Sequence, residues 1–217
     1  MKKRNLLLAA LLLILVAPSF AAKVDTLLVN SPSMNKDVQV VVVTPDAALG
    51  KKAVACPVIY LLHGYGGNAK TWIGVKPDLP QIADEKGIIF VCPDGKNSWY
   101  WDSPKDPSYR YETFVSSELV KYIDGHYKTI ADRKGRAITG LSMGGHGAMW
   151  NAIRHKDTFG AGGSTSGGVD IRPFPLNWDM SKQLGEFAYN KKVWDEHTVI
   201  NQIDKIETVS YTHLTLP

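Results

Sequence analysis

The sequence predicts an α/β protein with a mostly parallel, doubly wound sheet and helices on both faces. Two observations support this prediction. Runs rich in β-branched residues alternate along the chain with segments of helical periodicity. In addition, Pro57–Leu62 is a continuous apolar run, as expected for a strand that helices cover on both faces. Such sheets carry their functional residues at the carboxyl ends of the strands, so a site is expected there.

Each element has its own local signal. Two β-branched strands, Val24–Val29 and Val38–Thr44, resemble an antiparallel entry into a larger sheet, with a turn-rich segment between them. The other predicted strands are Val58–Leu62, Ile88–Val91, Arg136–Thr139 and the small-residue run Ala161–Ser166. Helices are predicted around Leu79–Glu85, over the amphipathic stretch Tyr111–Tyr122, and from Gly145 to about Arg154. Beyond these, Ile171–Asn201 is expected to be an irregular, cap-like insertion followed by a helix.

The amino terminus has the pattern of a secretory signal peptide. Met1–Asn5 is basic, Leu6–Val16 is an apolar run of eleven residues, and Ser19 and Ala21 are small residues before a cleavage point. Eleven apolar residues are well short of the roughly 20 that span a bilayer, so no stable membrane anchor is expected. We therefore expect residues 1–21 to be removed and the mature chain, beginning at Ala22, to be secreted or periplasmic.

Composition limits the partners of the mature chain. The full sequence of 217 residues has 25 basic and 21 acidic residues, and the signal peptide holds Lys2, Lys3 and Arg4. Removing these leaves 22 basic residues (25 − 3) against 21 acidic ones, so the charge balance does not suggest nucleic acid as a partner. About 196 residues remain (217 − 21), enough for one domain with a sizeable core.

The two cysteines are predicted to be free. Cys56 precedes the strand Val58–Leu62, whereas Cys92 follows Ile88–Val91. If these strands are parallel neighbours, the two sulfurs lie at opposite ends, about 20 Å apart at ~3.3 Å per residue. A disulfide requires Cα atoms within about 7 Å, so two buried thiols are expected.

The strongest motif is Gly140-Leu141-Ser142-Met143-Gly144, which reads G-x-S-x-G. A predicted strand precedes it and a predicted helix follows, so Ser142 is expected on a sharp strand-to-helix turn. The amino end of that helix would supply free N–H groups and a positive dipole end beside the hydroxyl. Ser142 is therefore the predicted nucleophile. The alternative is a chance occurrence of a short pattern.

A second motif, His63-Gly64-Tyr65-Gly66-Gly67, follows the strand Val58–Leu62. With both motifs, and with Val91–Gly95 and Phe159–Ala161, the chain resembles the α/β-hydrolase serine esterases. Within that superfamily it is similar to the putative-esterase group, which contains tributyrin esterases, esterase D, feruloyl esterases and antigen 85 mycolyltransferases. The resemblance implies the α/β-hydrolase fold and a carboxylic ester hydrolase that needs no cofactor.

The resemblance also implies site residues. The backbone amides of Met143 and Tyr65 would form the oxyanion hole, although the Tyr65 side chain could instead matter only as a pocket wall. Trp99 and Trp101 follow a strand at the same edge and could bind substrate, or they could simply pack their loop. His63 is expected to be structural, and His146 is expected to pack behind the turn.

The base and its carboxylate partner are not evident. Family order places Asp or Glu and then His on later loops, but Asp195 and His197 are only two residues apart, which makes His197 a weak candidate. Residues 208–217 resemble a non-native tail of translated adapter sequence, and His213 within it is not expected to act. We therefore expect residues 22–207 to form a domain that is incomplete at its carboxyl end, with the last strands missing.

These features together predict an exported serine esterase that acts on small-molecule or carbohydrate-linked esters. The alternatives are an acyltransferase of the mycolyltransferase type and a catalytically inactive binding module. No metal site is predicted, because the histidines lack a ligand spacing such as H-E-x-x-H.

Overall fold

The fold is taken from a computed structural model, which describes residues 22–206. The predicted signal peptide (1–21), the predicted tail (208–217) and His213 lie outside these residues.

A six-stranded sheet forms the centre of the described chain. Its strands are β1 (Lys23–Ser31), β2 (Lys36–Thr44), β3 (Val58–Leu62), β4 (Ile89–Pro93), β5 (Arg136–Gly140) and β6 (Ala161–Gly162). They lie in the order β1-β2-β4-β3-β5-β6. The pairs β1–β2 and β2–β4 are antiparallel, and β3–β4, β3–β5 and β5–β6 are parallel. This confirms the prediction that two antiparallel strands begin the domain and lie beside a parallel part of the sheet.

Helices connect the strands. They are α1 (Thr71–Val75), α2 (Leu79–Lys86), α3 (Tyr111–Thr113), α4 (Leu119–His126), α5 (Met143–Arg154), α6 (Met180–Leu184) and α7 (Lys191–Glu196). A π-helical segment, Phe114–Glu118, joins α3 to α4, so that Tyr111 to His126 form one continuous helical stretch. Short 3-10 turns lie at Asp46–Ala48, Arg133–Gly135 and Val199–Lys205.

Two apolar clusters cover the two faces of the sheet. Val40 and Val42 of β2 face the cluster that contains α5 and the stretch from α3 to α4. Val41 and Val43 point the other way, into the cluster that contains α2. Because neighbouring strand residues alternate between faces, a continuous β-branched run is buried on both sides only when helices cover both. The doubly wound arrangement is confirmed.

Strand β6 is shorter than predicted. Regular pairing covers Ala161–Gly162, whereas the sequence suggested a strand to Ser166. The chain nevertheless stays beside β5, because the amides of Gly163 and Thr165 donate to carbonyls of Ile138 and Gly140, both at 2.9 Å. Glycine adds no side chain to pack, which weakens regular strand geometry there.

The two thiols are free and buried, as predicted. Cys56 lies just before β3 and Cys92 lies near the end of β4, and these strands are parallel neighbours. Parallel pairing therefore places the sulfurs toward opposite ends of the sheet.

Candidate active site

Ser142 lies on a sharp turn between β5 and α5. Its backbone has φ 55° and ψ −117°, a conformation that a residue with a side chain rarely adopts. Its side chain is exposed, while the residues after it are buried. A Cβ on Gly144 would overlap the Leu62 carbonyl, and one on Gly140 would overlap the Gly144 backbone. The two motif glycines are therefore required for the close packing of strand, turn and helix.

Backbone hydrogen bonds fix this turn. The Ser142 amide donates to the Thr165 carbonyl at 2.9 Å, the Gly144 amide to Leu141 at 2.8 Å, and the His146 amide to Ser142 at 3.0 Å. Met143 is the first residue of α5, so its amide has no intrahelical acceptor, and it has no acceptor elsewhere among residues 22–206. This places an unpaired N–H directly after the predicted nucleophile.

The loop after β3 lies against the turn. A Cβ built on Gly64 would be 3.5 Å from the Ser142 Cβ, so this backbone borders the serine. The Gly66 amide donates to Asn97 Oδ1 at 2.9 Å, and the Gly67 amide donates to the Gly64 carbonyl at 3.0 Å. Within the described chain, the Tyr65 amide between them has no acceptor. The loop therefore offers a second free N–H near Ser142.

A pocket of about 220 Å³ opens beside Ser142. Its lining is mostly apolar and aromatic, with one carboxylate, and comprises Tyr65, Trp99, Ser142, Met143, Ser166, Gly167, Gly168, Asp170, Ile171, Phe174, Trp178 and Met180. The residues from Ser166 onwards come from β6's continuation and the insertion that follows. Sequence reasoning missed Phe174, Trp178 and Asp170 as lining residues, because only the folded chain brings that insertion over the turn.

The two tryptophans of the loop after β4 occupy different places. Trp99 lines the pocket, and its indole N–H donates to the Trp178 carbonyl at 3.2 Å. Trp101 stacks on Trp99 with ring centres 5.6 Å apart, is 1% exposed, and does not line the pocket. Trp99 therefore lies at the pocket wall, whereas Trp101 packs within its loop and the core.

His63 is buried with both ring nitrogens in use. Its Nε2 accepts from the Gly95 amide at 2.9 Å, so the proton lies on Nδ1, which donates to the Gly64 carbonyl at 2.7 Å. The ring therefore shapes the loop after β3 and has no nitrogen free to accept the serine proton.

His146 is also enclosed. Its Nε2 accepts from the Trp101 indole at 2.9 Å, and its Nδ1 donates to the Gly168 carbonyl at 2.7 Å. Burial lowers the pKa of His146 to about 4, so the ring is neutral near pH 7. It packs behind the turn, as predicted.

His197 lies in a separate cavity, which Trp150, Arg154 and Glu196 also line. Its ring stacks on Trp150 at 5.5 Å, and Nδ1 donates to the Val193 carbonyl at 2.7 Å. Asp195 instead pairs with Arg172 at 3.0 Å. The two residues do not form a carboxylate–histidine pair beside Ser142.

None of the five histidines in the described part of the chain lines the Ser142 pocket. The pocket carboxylate, Asp170, has both oxygens bonded to the Arg172 guanidinium at 2.8 Å. Residues 22–206 thus bring together Ser142 and two free amides, but not a general base. In the same range, no group of three or more metal-ligating side chains lies close enough to hold an ion.

The helices of residues 22–206 are too short or too polar to cross a membrane.

Comparisons with known proteins identify the fold and the family of this chain. A ferulic acid esterase of known structure superposes with a TM-score of 0.71 at 28% identity, over 88% of this chain and 74% of that one. Esterase Rv1288 of Mycobacterium tuberculosis is 28% identical over 169 residues. The diacylglycerol acyltransferase/mycolyltransferase Ag85A of Mycobacterium leprae is 35% identical over 161 residues. The structural match confirms the α/β-hydrolase fold.

The alignments cover only part of each curated relative. The aligned parts are 70% and 68% of this chain, but 36% of Esterase Rv1288 and 44% of Ag85A. The chain therefore spans less than half the length of these two curated relatives. The family model described as "Putative esterase" matches residues 31–211, most of the sequence. The chain belongs to the putative esterase family.

Proposed function

We propose that this chain belongs to an exported serine esterase that hydrolyses carboxylic esters through an acyl-enzyme on Ser142. The observation that carries the proposal is the geometry of the turn: an exposed serine at φ 55°, bordered by two unpaired amides. A residue held in such a strained conformation persists only where its surroundings fix it, and such positions concentrate at active sites.

The chemistry follows from these groups. Ser142 Oγ attacks the ester carbonyl and loses its proton to a base, which gives a tetrahedral intermediate with a negative oxygen. The amides of Met143 and Tyr65 donate to that oxygen, and the amino end of α5 adds a favourable dipole. The intermediate collapses with loss of the alcohol, which takes up the proton, and water then releases the acid from Ser142.

We assign the base and its orienting carboxylate to residues outside 22–206. Support comes from the described histidines, whose ring nitrogens are bonded elsewhere or lie away from the pocket. Further support comes from the ferulic acid esterase structure, of which this chain covers 74%.

The pocket suggests the substrate class. Trp99, Phe174 and Trp178 give it flat apolar walls that suit a short acyl chain or an aromatic acyl group. The similarity to a ferulic acid esterase favours short-chain, acetyl or feruloyl esters of carbohydrates as substrates.

Two other functions are supported by specific observations. The similarity to a mycolyltransferase favours acyl transfer to an alcohol acceptor. The absence of a base among residues 22–206 favours a binding module that has kept the fold. Offering a sugar acceptor in competition with water distinguishes transfer from hydrolysis, because the acyl group appears either on the sugar or as free acid.

The test uses the chain extended by its natural carboxyl-terminal continuation, together with a Ser142→Ala variant. We expect the extended enzyme to hydrolyse a short-chain nitrophenyl ester. Acid quenching should trap one acyl group on the peptide that contains Ser142. Hydrolysis at the same rate in the alanine variant would refute the proposal.

A further inference from the structure

A long-range hydrogen bond connects the loop after β3 to the insertion that follows β6. The Tyr65 hydroxyl donates to Asp179 Oδ2 at 2.7 Å, across 114 positions of sequence. Tyr65 also lines the pocket with Ser142, and its amide is one of the two free donors described above. Asp179 therefore bonds to the side chain of the residue whose amide the proposed function assigns to the oxyanion hole.

The two peptide units that flank the Tyr65 Cα are each held by other hydrogen bonds. The Gly64 carbonyl accepts from His63 and from Gly67, and the Gly66 amide donates to Asn97. Gly66 has φ 76°, a left-handed conformation that glycine adopts more readily than other residues. The Tyr65 hydroxyl adds a hydrogen bond from the insertion to those that the His63 and Asn97 side chains make with this segment.

Asp179 is itself held in place. Lys182 Nζ lies 2.9 Å from Asp179 Oδ1, and the preceding Trp178 carbonyl accepts the Trp99 indole N–H. Trp178 and Asp179 have φ 52° and 56°, two consecutive left-handed residues without glycine. Such a segment costs conformational energy and persists only where several contacts determine it. The hydrogen bond from Tyr65 and the pairing with Lys182 lower the pKa of Asp179, so it is ionised near pH 7.

We propose that Asp179 is a positioning residue of the active site: through the Tyr65 hydroxyl it fixes the Tyr65 amide for its role in the oxyanion hole. This inference rests on the proposed function of Ser142. It adds a residue from the insertion to the machinery, which neither motif contains.

The first test measures the loop without catalysis. Residue-resolved hydrogen exchange of Gly66 and Gly67 is compared between the parent chain, Asp179→Asn, Tyr65→Phe and the double variant. Asparagine tolerates the left-handed conformation, so Asp179→Asn removes the charge while keeping the backbone. We expect about three- to tenfold faster exchange in Tyr65→Phe, which removes the hydrogen bond, and a smaller acceleration in Asp179→Asn, whose neutral amide oxygen is a weaker acceptor. The double variant should match Tyr65→Phe, because loss of the hydroxyl alone already removes the contact.

Asp170→Asn is the matched control for exchange. Asp170 lines the same pocket from the position just before the insertion, but it pairs with Arg172 instead of Tyr65. Exchange of Gly66 and Gly67 should be unchanged in this variant. Equal acceleration in Asp170→Asn, or no acceleration in Asp179→Asn, would overturn the proposal.

The second test uses the extended enzyme and a nitrophenyl ester. A positioning role predicts that Asp179→Asn lowers kcat about three- to tenfold with KM nearly unchanged, because the oxyanion exists only along the reaction path. A raised KM with unchanged kcat would mean that Asp179 only shapes the pocket, and the inference would be wrong. If the parent enzyme shows no turnover, the proposed function fails, and the exchange test still decides the role of Asp179.

Discussion

The Trp101 indole N–H donates to Nε2 of His146 over 2.9 Å, in a part of the core where both side chains are almost fully buried. Nε2 is therefore an acceptor, and the imidazole proton lies on Nδ1, which donates to the Gly168 carbonyl. Protonation of the ring would place a charge in the core and replace the Trp101 contact with a repulsive one. Burial accordingly lowers the pKa of His146 to about 4.

This pKa predicts a dependence of stability on pH. An unfolded histidine titrates near 6.5, so between pH 6.5 and about 4 the unfolded chain binds more protons than the folded one. Stability should therefore fall as pH falls through that window, by about 3 kcal/mol from this residue at ~1.4 kcal/mol per pKa unit. The measurement is denaturant unfolding at pH 7, 5.5 and 4.

His146→Gln is the control for this prediction, because glutamine can still accept from Trp101. The unfolding free energy of the parent chain should approach or fall below that of the variant as pH decreases. Parallel curves for the two proteins would show that His146 does not carry this effect.

The turn glycines give a second prediction. In Gly144→Ala the new Cβ would overlap the Leu62 backbone carbonyl, so strand and helix must separate. We expect a loss of about 3 kcal/mol in unfolding free energy, the upper end of the usual cost of overpacking, measured by denaturant titration. Gly125 in α4 is the matched control, because a Cβ there meets nothing within 4 Å. Gly125→Ala should be neutral or stabilise by up to about 1 kcal/mol, and equal loss in both variants would contradict the packing argument.

Local patterns predicted much of this structure. The turn at Ser142 was predictable because glycines, a β-branched run and a helical pattern all occur within a few residues. The antiparallel entry and the buried strand β3 were predictable for the same reason, since burial on one or both faces sets the residue pattern.

Contacts between distant segments could not be predicted in this way. Trp99 and Trp101 have the same local signal, yet Trp99 lines the pocket beside Trp178 and Trp101 packs behind it. The contact between Trp99 and Trp178 joins segments 79 residues apart, which local patterns do not reveal. The bond between Tyr65 and Asp179 spans 114 positions and leaves no periodic pattern. The shortening of β6 depends on how its glycines pair with β5, which composition alone does not reveal.

The cysteines give a third prediction. Cys56 and Cys92 are free and buried at the two ends of neighbouring parallel strands, and burial raises the pKa of both thiols. Both should be alkylated in denaturant without reductant and resist alkylation in the folded protein. Intact mass measures this directly. Protection of both in denaturant, with a mass lower by two hydrogens, would mean that a disulfide forms.

Export is the fourth prediction. The basic segment, the apolar run of eleven residues and Ala21 predict cleavage before Ala22. Protein recovered from the medium or periplasm should begin at Ala22 by amino-terminal sequencing. An Ala21→Leu variant, which removes the small residue before the cut, should accumulate unprocessed. Secreted material that retains Met1 would contradict the prediction.

The last prediction is that the 217-residue chain is a poor esterase and that its natural carboxyl-terminal continuation makes it active. A serine without a base is a weak nucleophile, and loss of triad members typically costs about 10⁴-fold or more. The amides of Met143 and Tyr65 and the pocket remain, so a residual rate of roughly 10³–10⁴-fold over water is expected.

The measurement compares the chain, the extended protein and its Ser142→Ala variant on a short-chain nitrophenyl ester. We expect ordinary turnover only in the extended protein, with loss of that turnover in the alanine variant. His197→Ala should leave the rate of the extended protein within a few-fold of the parent, because His197 lies in a separate cavity with Nδ1 bonded to Val193. If the 217-residue chain turned over at ordinary esterase rates and depended on His197 or His213, the base would lie within this sequence and the assignment to later residues would be wrong.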